Sequence, residues 1–201
     1  MSVRNVLIVG GGFTGLTTAI ALAQRDVKVA LIDRVSAWAR VGHGLTIQGN
    51  ALRVFEEIGV IDDVLAVGQA ENAVTLYFAD GRVMAEMPTP RTGGDHLPAT
   101  IGALRPDLHE ILVRKAESLG VEIRLGTELA SFENHGDTAT SVLTDGTTET
   151  WDLIVVAEET DASLIIIGLR RRTPVGKLIL GSNAQRVLLD APCDVLAVKA
   201  R

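Results

Sequence analysis

The residues with the clearest chemical potential form one short run, Gly10-Gly11-Gly12-Phe13-Thr14-Gly15. Gly10, Gly12 and Gly15 have the spacing G-x-G-x-x-G. The first glycine allows a sharp turn after a strand. The second lets backbone N–H groups approach a pyrophosphate, and the third lets the next helix pack close to the strand. The start of that helix adds unpaired N–H groups and a partial positive charge. An acid, Asp33, follows roughly 20 residues on, where a carboxylate meets the ribose of a dinucleotide, and Arg34 stands beside it. The competing expectation, a glycine turn that only packs, explains the acid less well.

The other reactive side chains are not arranged for chemistry. His43, His96, His109 and His135 lack metal-ligand spacing, so no metal is expected. His109 lies mid-helix with no histidine partner one turn on. No serine has a G-x-S-x-G context. Cys193 is the single cysteine and reads as a packing residue. No catalytic residue is assigned.

The elements that must position the glycine run are legible. Val3–Val9 is a buried-strand pattern, Leu16–Gln24 is rich in Ala and Leu, and Val27–Ile32 is a second strand pattern ending at Asp33. Strand, turn, helix and strand in this order make a right-handed βαβ unit. Asn50 is expected to cap a helix over Ala51–Ile58 that stops at Gly59, and Asp62–Val67 adds a short helical turn. Val74–Ala79 and Arg82–Met87 flank Asp80-Gly81, a type I′ hairpin signal. Arg105–Leu119 is an amphipathic helix with Leu108, Ile111, Leu112, Ala116 and Leu119 on one face. Val121–Leu125 is a strand, and Thr127–Asn134, Thr138–Leu143 and Thr147–Trp151 read as an antiparallel meander. Leu153–Ala157, Leu164–Ile167 and Val195–Val198 are short apolar strands, and Ser182 can cap a helix running to Asp190.

Composition places these elements in an ordinary globular protein, with 47% hydrophobic and 22% charged residues. No apolar run reaches the length of a membrane span, and the net charge of −6 argues against nucleic-acid partners. With one cysteine and no visible secretory leader, a cytoplasmic protein is expected. The charge is uneven. Residues 1–157 hold 12 Lys and Arg against 20 Asp and Glu, whereas residues 158–201 hold 7 against 5. All aromatic residues lie at or before Trp151. A seam is therefore expected near residue 158, dividing the chain into 1–157 and 158–201.

NAD and FAD share the first βαβ unit, and the residues after it favour FAD. Gly42-His43-Gly44-Leu45-Thr46-Ile47-Gln48-Gly49-Asn50, then Leu104-Arg105-Pro106-Asp107-Leu108-His109-Glu110-Ile111-Leu112, then the meander and Trp151-Asp152-Leu153-Ile154-Val155-Val156-Ala157 follow in order. Over residues 1 to about 157 the chain resembles the FAD domain of class A flavoprotein monooxygenases, the aromatic-hydroxylase family. The resemblance implies an α/β, Rossmann-like parallel sheet carrying an antiparallel meander. It implies that Gly10, Gly11, Gly12, Phe13, Thr14 and Gly15 hold the ADP half of FAD. Asp33 would meet the ribose with Arg34 beside it, and Arg105 would lie near the flavin or ribityl chain.

Beyond Ala157 the chain departs from that family. The family's Asp-Gly is replaced by Glu158-Glu159-Thr160-Asp161, and its later Gly-Asp motif and substrate domain have no counterpart. Weakened FAD binding, impaired catalysis and no NAD(P)H use are therefore expected. Residues 158–201 instead resemble the C-terminal strand–helix–strand of universal stress proteins, through Asp161–Gly168, Gly176–Ser182 and Ala184–Lys199. That resemblance implies an alternative nucleotide site for ATP or AMP at Gly168, Gly181 and Ser182, although Arg171 stands where the family has its second glycine. The Arg170-Arg171-Arg172 run reads as a solvated loop. The chain thus reads as a chimera whose tail completes the same sheet; a structural chimera with no ligand is a further alternative.

The seam carries one more expectation. Glu158–Ser163 is too short for a parallel crossover, which needs about a dozen residues. Leu153–Ala157 is therefore expected to keep the place beside strand one. Leu164–Ile167 must then pair antiparallel or bury its face elsewhere.

Overall fold

The computed structural model describes residues 3–40, 42–157, 164–169 and 194–199, in two units, Met1–Ala157 and Glu158–Arg201. The first unit opens with β1 (Asn5–Val9), α1 (Phe13–Ala23) and β2 (Lys28–Asp33). Next come β3 (Gly44–Gln48), α2 (Gly49–Glu57), α3 (Ile61–Val67), β4 (Gln69–Glu71), β5 (Ala73–Tyr77), β6 (Val83–Pro88) and β7 (Thr100–Leu104). It closes with α4 (Arg105–Ser118), β8 (Glu122–Leu125), β9 (Leu129–Asn134), β10 (Ala139–Leu143), β11 (Thr148–Trp151) and β12 (Leu153–Val156).

The central sheet is parallel in the order β12-β1-β2-β8. Alternate residues leave it on opposite faces, as the period of a strand requires. Val6, Ile8, Val29 and Leu31 pack with Leu16, Ala19 and Ile20 of α1 and Leu108, Ile111 and Leu112 of α4. Leu7, Val9, Ala30 and Ile32 pack with Leu143 and Trp151 of the meander, whose order is β11-β10-β9. Both faces of β1 and β2 are thus covered, which is why these strands read as continuous apolar runs. Arg124 of β8 pairs with Glu149 of β11 at 2.9 Å and with Glu122 at 2.8 Å, tying the sheet edge to the meander. The hydrogen bond from Arg124 holds the Glu122 carboxyl below its ordinary range.

Three local expectations change. β3, β7 and β4 form an antiparallel sheet in the order β3-β7-β4 that was not anticipated, although Ile101 and Ala103 alternate with more exposed neighbours in the period of a strand. β3 runs straight into α2, so Gln48 rather than Asn50 is the N-cap residue, and no side chain caps the helix. Gly49 lies against the Thr92–Gly93 backbone, and the helix begins there, leaving no turn for Asn50 to close. The β5–β6 hairpin does not turn through a type I′ pair, because φ is positive at Gly81 (+85°) but not at Asp80. Gly81 N–H donates to Phe78 O and Phe78 N–H to Arg82 O, a type I turn closed by a glycine bulge.

At the seam, Leu153–Val156 pairs in parallel with β1, in the register Val6↔Leu153 to Val9↔Val156. In the second unit, β13 (Leu164–Leu169) pairs with β14 (Asp194–Lys199) in parallel, not antiparallel. Residues 170–193 between them exceed the dozen or so that a parallel crossover needs. The helix expected from Ser182 to Asp190, Cys193 and the arginine run lie outside the described residues.

The meander face depends on Trp151, 5% exposed, whose indole N–H donates to Ser141 Oγ at 2.9 Å. Trp151→Ala is expected to cost about 3–5 kcal/mol in urea unfolding. A loss below about 1 kcal/mol would show that this face contributes little to the core.

Candidate dinucleotide site

The glycine run joins the carboxyl end of β1 to the start of α1, where open α/β sheets bind ligands. Gly10 turns the chain at φ +104°, a conformation that disfavours side chains, and its N–H donates to Ile32 O at 2.8 Å. A Cβ on Gly15 would overlap the Gly10 carbonyl oxygen. The first glycine is therefore demanded by backbone conformation and the third by packing.

Gly12 differs. It is the N-cap of α1 in ordinary extended backbone (φ −72°), and a Cβ there would meet nothing within 4 Å. No contact inside the protein requires a glycine at this point, and the bare backbone faces open space. No side chain caps α1, and its hydrogen-bond ladder includes Leu16 N–H to Gly12 O at 3.0 Å. The N–H groups at the head of a helix have no intrahelical acceptor. An anion placed there meets donors and the positive end of the helix dipole.

Asp33 reaches this turn from the end of β2. Its Oδ2 accepts from Gly11 N–H at 2.6 Å and its Oδ1 from Val35 N–H at 3.0 Å. The carboxylate is half-buried and braces the turn, with lone pairs remaining on each oxygen. Arg34 beside it is exposed. Arg105 opens α4, and its guanidinium lies 5.4 Å from the centroid of the Phe13 ring. Its side chain also flanks Gly42, where a Cβ would come within 3.3 Å of it. The structure thus gathers Gly10–Gly15, Asp33 and Arg105 around one end of the sheet.

Two further side chains join the turn. His109 Nε2 lies 2.8 Å from Gly11 O, and Trp38 packs edge-on to the His109 ring with centroids 4.8 Å apart. His109 stands one helical turn after Arg105, so a shared face was legible from the spacing. Trp38 had no such signal, because it meets Gly11 only through the fold. Arg40 pairs with Asp107 and Glu110 on the same helix. A separate open cleft of about 590 Å³, lined by Leu45, Thr46, Val67, Gln69 and Leu104, lies between β3, β7 and the end of α3. Gly168 falls within β13, whereas Gly181 and Ser182 lie outside the described residues.

Residues 4–157 match a family described as FAD binding domain. The 3-amino-4-hydroxybenzoate 2-monooxygenase of Streptomyces cremeus is 32% identical over 159 residues, 76% of this chain and 39% of that protein. The solved 2-methyl-3-hydroxypyridine-5-carboxylic acid oxygenase superposes with a TM-score of 0.64 at 30% identity, over 77% of this chain and 39% of that one. A universal stress protein of Mycolicibacterium smegmatis is 54% identical over 54 residues, 27% of this chain and 42% of that protein. The chain spans about half the length, or less, of the curated relatives it matches.

The glycines should respond differently to a methyl group. Gly15→Ala is expected to destabilise by roughly 1–3 kcal/mol or more through overpacking. Gly12→Ala, at an N-cap where Ala is less favourable than Gly, should cost no more than about 1 kcal/mol. Thermal melts of the two variants check this; equal losses would contradict the difference in packing between the two positions.

Proposed function

Because this chain belongs to the FAD binding domain family, we propose that residues 1–157 bind FAD through its ADP half. The observation that carries this reading is Gly12, bare and facing open space at an uncapped helix start while its neighbours are held by packing. The pyrophosphate meets the N–H groups of Gly12, Phe13 and Thr14. Asp33 offers its remaining lone pairs to the ribose, with Arg34 at the rim. Arg105, held beside Phe13, contacts the ribityl or flavin side. Bound FAD supplies a redox-active isoalloxazine; the residues named here bind and orient it.

An absorbance scan of the purified protein should show a flavin spectrum, or one that appears on adding FAD. In calorimetry, ADP should compete with FAD, and Gly12→Val should abolish binding in a folded protein. FMN or riboflavin binding as tightly as FAD would overturn the assignment.

The same reading makes this a monooxygenase-type flavoprotein with weakened cofactor binding and without NAD(P)H-dependent hydroxylation. Its support is Glu158-Glu159-Thr160-Asp161 in place of Asp-Gly, followed by stress-protein sequence, as in a chimera. Aromatic product formed with NAD(P)H beyond hydrogen peroxide controls would refute it. The 54% identity to a stress protein favours a second reading, an ATP- or AMP-binding module in residues 158–201 that includes Gly168, Gly181 and Ser182. A rise in melting temperature with ATP, in flavin-free protein and in the Gly12→Val variant alike, supports it.

A further inference from the structure

The geometry points to His109 as a positioning residue that sets the direction of the Gly12 N–H, and we propose that α4 thereby presets the glycine turn for a pyrophosphate. The inference rests on the FAD reading above. It begins with three consecutive glycines, Gly10-Gly11-Gly12, the least restrained backbone a chain can have. A ligand that must order such a segment loses affinity to the ordering. Here both sides of Gly11 are held by side chains from elsewhere in the fold.

On one side, Asp33 Oδ2 takes the Gly11 N–H at 2.6 Å. On the other, His109 Nε2 meets the Gly11 carbonyl at 2.8 Å. A carbonyl oxygen only accepts, so Nε2 must carry the proton and donate. The Gly11–Gly12 peptide bond is trans, since the described chain has no cis peptide bond. In a trans peptide the C=O and the next N–H point in opposite directions. Drawing the Gly11 oxygen toward α4 therefore turns the Gly12 N–H away from α4. Without the donor, a glycine peptide is free to flip and present its oxygen to the phosphates instead.

The ring that does this is itself restrained. Trp38 meets it edge-on at 4.8 Å, and the Phe13 ring lies tilted at 6.2 Å. Its helix is anchored beneath it by Leu108, Ile111 and Leu112, each no more than 2% exposed. Trp38 also occupies the place a Gly11 side chain would need, which accounts for the middle glycine of the run. A histidine that served only as packing would need the ring but not the proton.

The test separates ring from donor in the full 201-residue chain. His109→Phe keeps an aromatic ring and removes the donor; His109→Gln keeps an amide donor near the position of Nε2. ADP and FAD are titrated by calorimetry. His109→Phe is expected to weaken both by roughly five- to tenfold, the scale of one neutral hydrogen bond. His109→Gln should stay within about threefold of the parent. Parent-like binding by His109→Phe, or equal losses in both variants, would overturn the proposal. The wild-type protein without ligand supplies a second measurement that needs no variant. Its ¹⁵N spectrum should show His109 protonated at Nε2, and a neutral ring protonated at Nδ1 would overturn the proposal. If the parent binds neither ADP nor FAD, the proposed function fails, while the Nε2 proton and a shift of the Gly12 amide in His109→Phe still decide the peptide lock.

Discussion

The close approach of α1 to β1 at Gly15 is the constraint on which the rest of the first unit depends. Gly15 sits directly beneath the Gly10 carbonyl, with no room for a methyl group. This contact lets α1 lie down on the sheet, where Leu16, Ala19 and Ile20 are fully buried against Val6, Ile8, Val29 and Leu31. Each of these Leu, Ile and Val side chains contributes about 1.5–3 kcal/mol on leaving water, and Ala19 less. The same contact fixes where the helix begins. Its uncapped N-terminus is therefore held at the carboxyl end of β1, beside the end of β2 that delivers Asp33.

A second helix completes the arrangement from a distance in sequence. α4 packs against α1 and carries both Arg105 and His109 to the turn. Its position follows from the apolar face of Leu108, Ile111, Leu112 and Ala116, which joins the α1 cluster. The exposed ion pairs from Arg40 to Asp107 and Glu110 contribute little by comparison, since such pairs are worth at most about 1 kcal/mol. Burial places the helix, and Arg105 and His109 then reach the turn from it. The residues that bury this helix and those that meet the turn are thus different residues of the same helix.

The opposite face of the sheet has a structural role of its own. Leu7, Val9, Ala30 and Ile32 are closed off by the meander, with Trp151 and the fully buried Ser141 forming its one buried side-chain hydrogen bond among the described residues. Covering this face stiffens β1 and β2 from behind, and Asp33 leaves β2 with a fixed direction. The β5–β6 hairpin, by contrast, leaves Tyr77, Val83 and Met84 more than half exposed. A two-stranded ribbon of this kind is marginal alone.

The sequence by itself determined the features that depend on local pattern. The βαβ unit followed from two apolar runs around a glycine turn, the α4 face from its helical spacing, and the meander from three strand-like segments with turns at Gly136 and Asp145-Gly146. The family was legible because several such features recur in order. Tertiary structure decided what local pattern cannot encode. The strand beside β1 was settled by pairing in register with Leu153–Val156. The β3-β7-β4 sheet joins segments separated by long stretches of chain, so no local turn signal pairs them. Asp33 carried a ribose role by position, but the fold shows both its oxygens braced on backbone N–H groups. His109 looked idle on its own helix and gains a partner only where α4 crosses the turn. Spacing reports which residues share an element; the direction of a hydrogen bond between elements exists only once burial has brought them together.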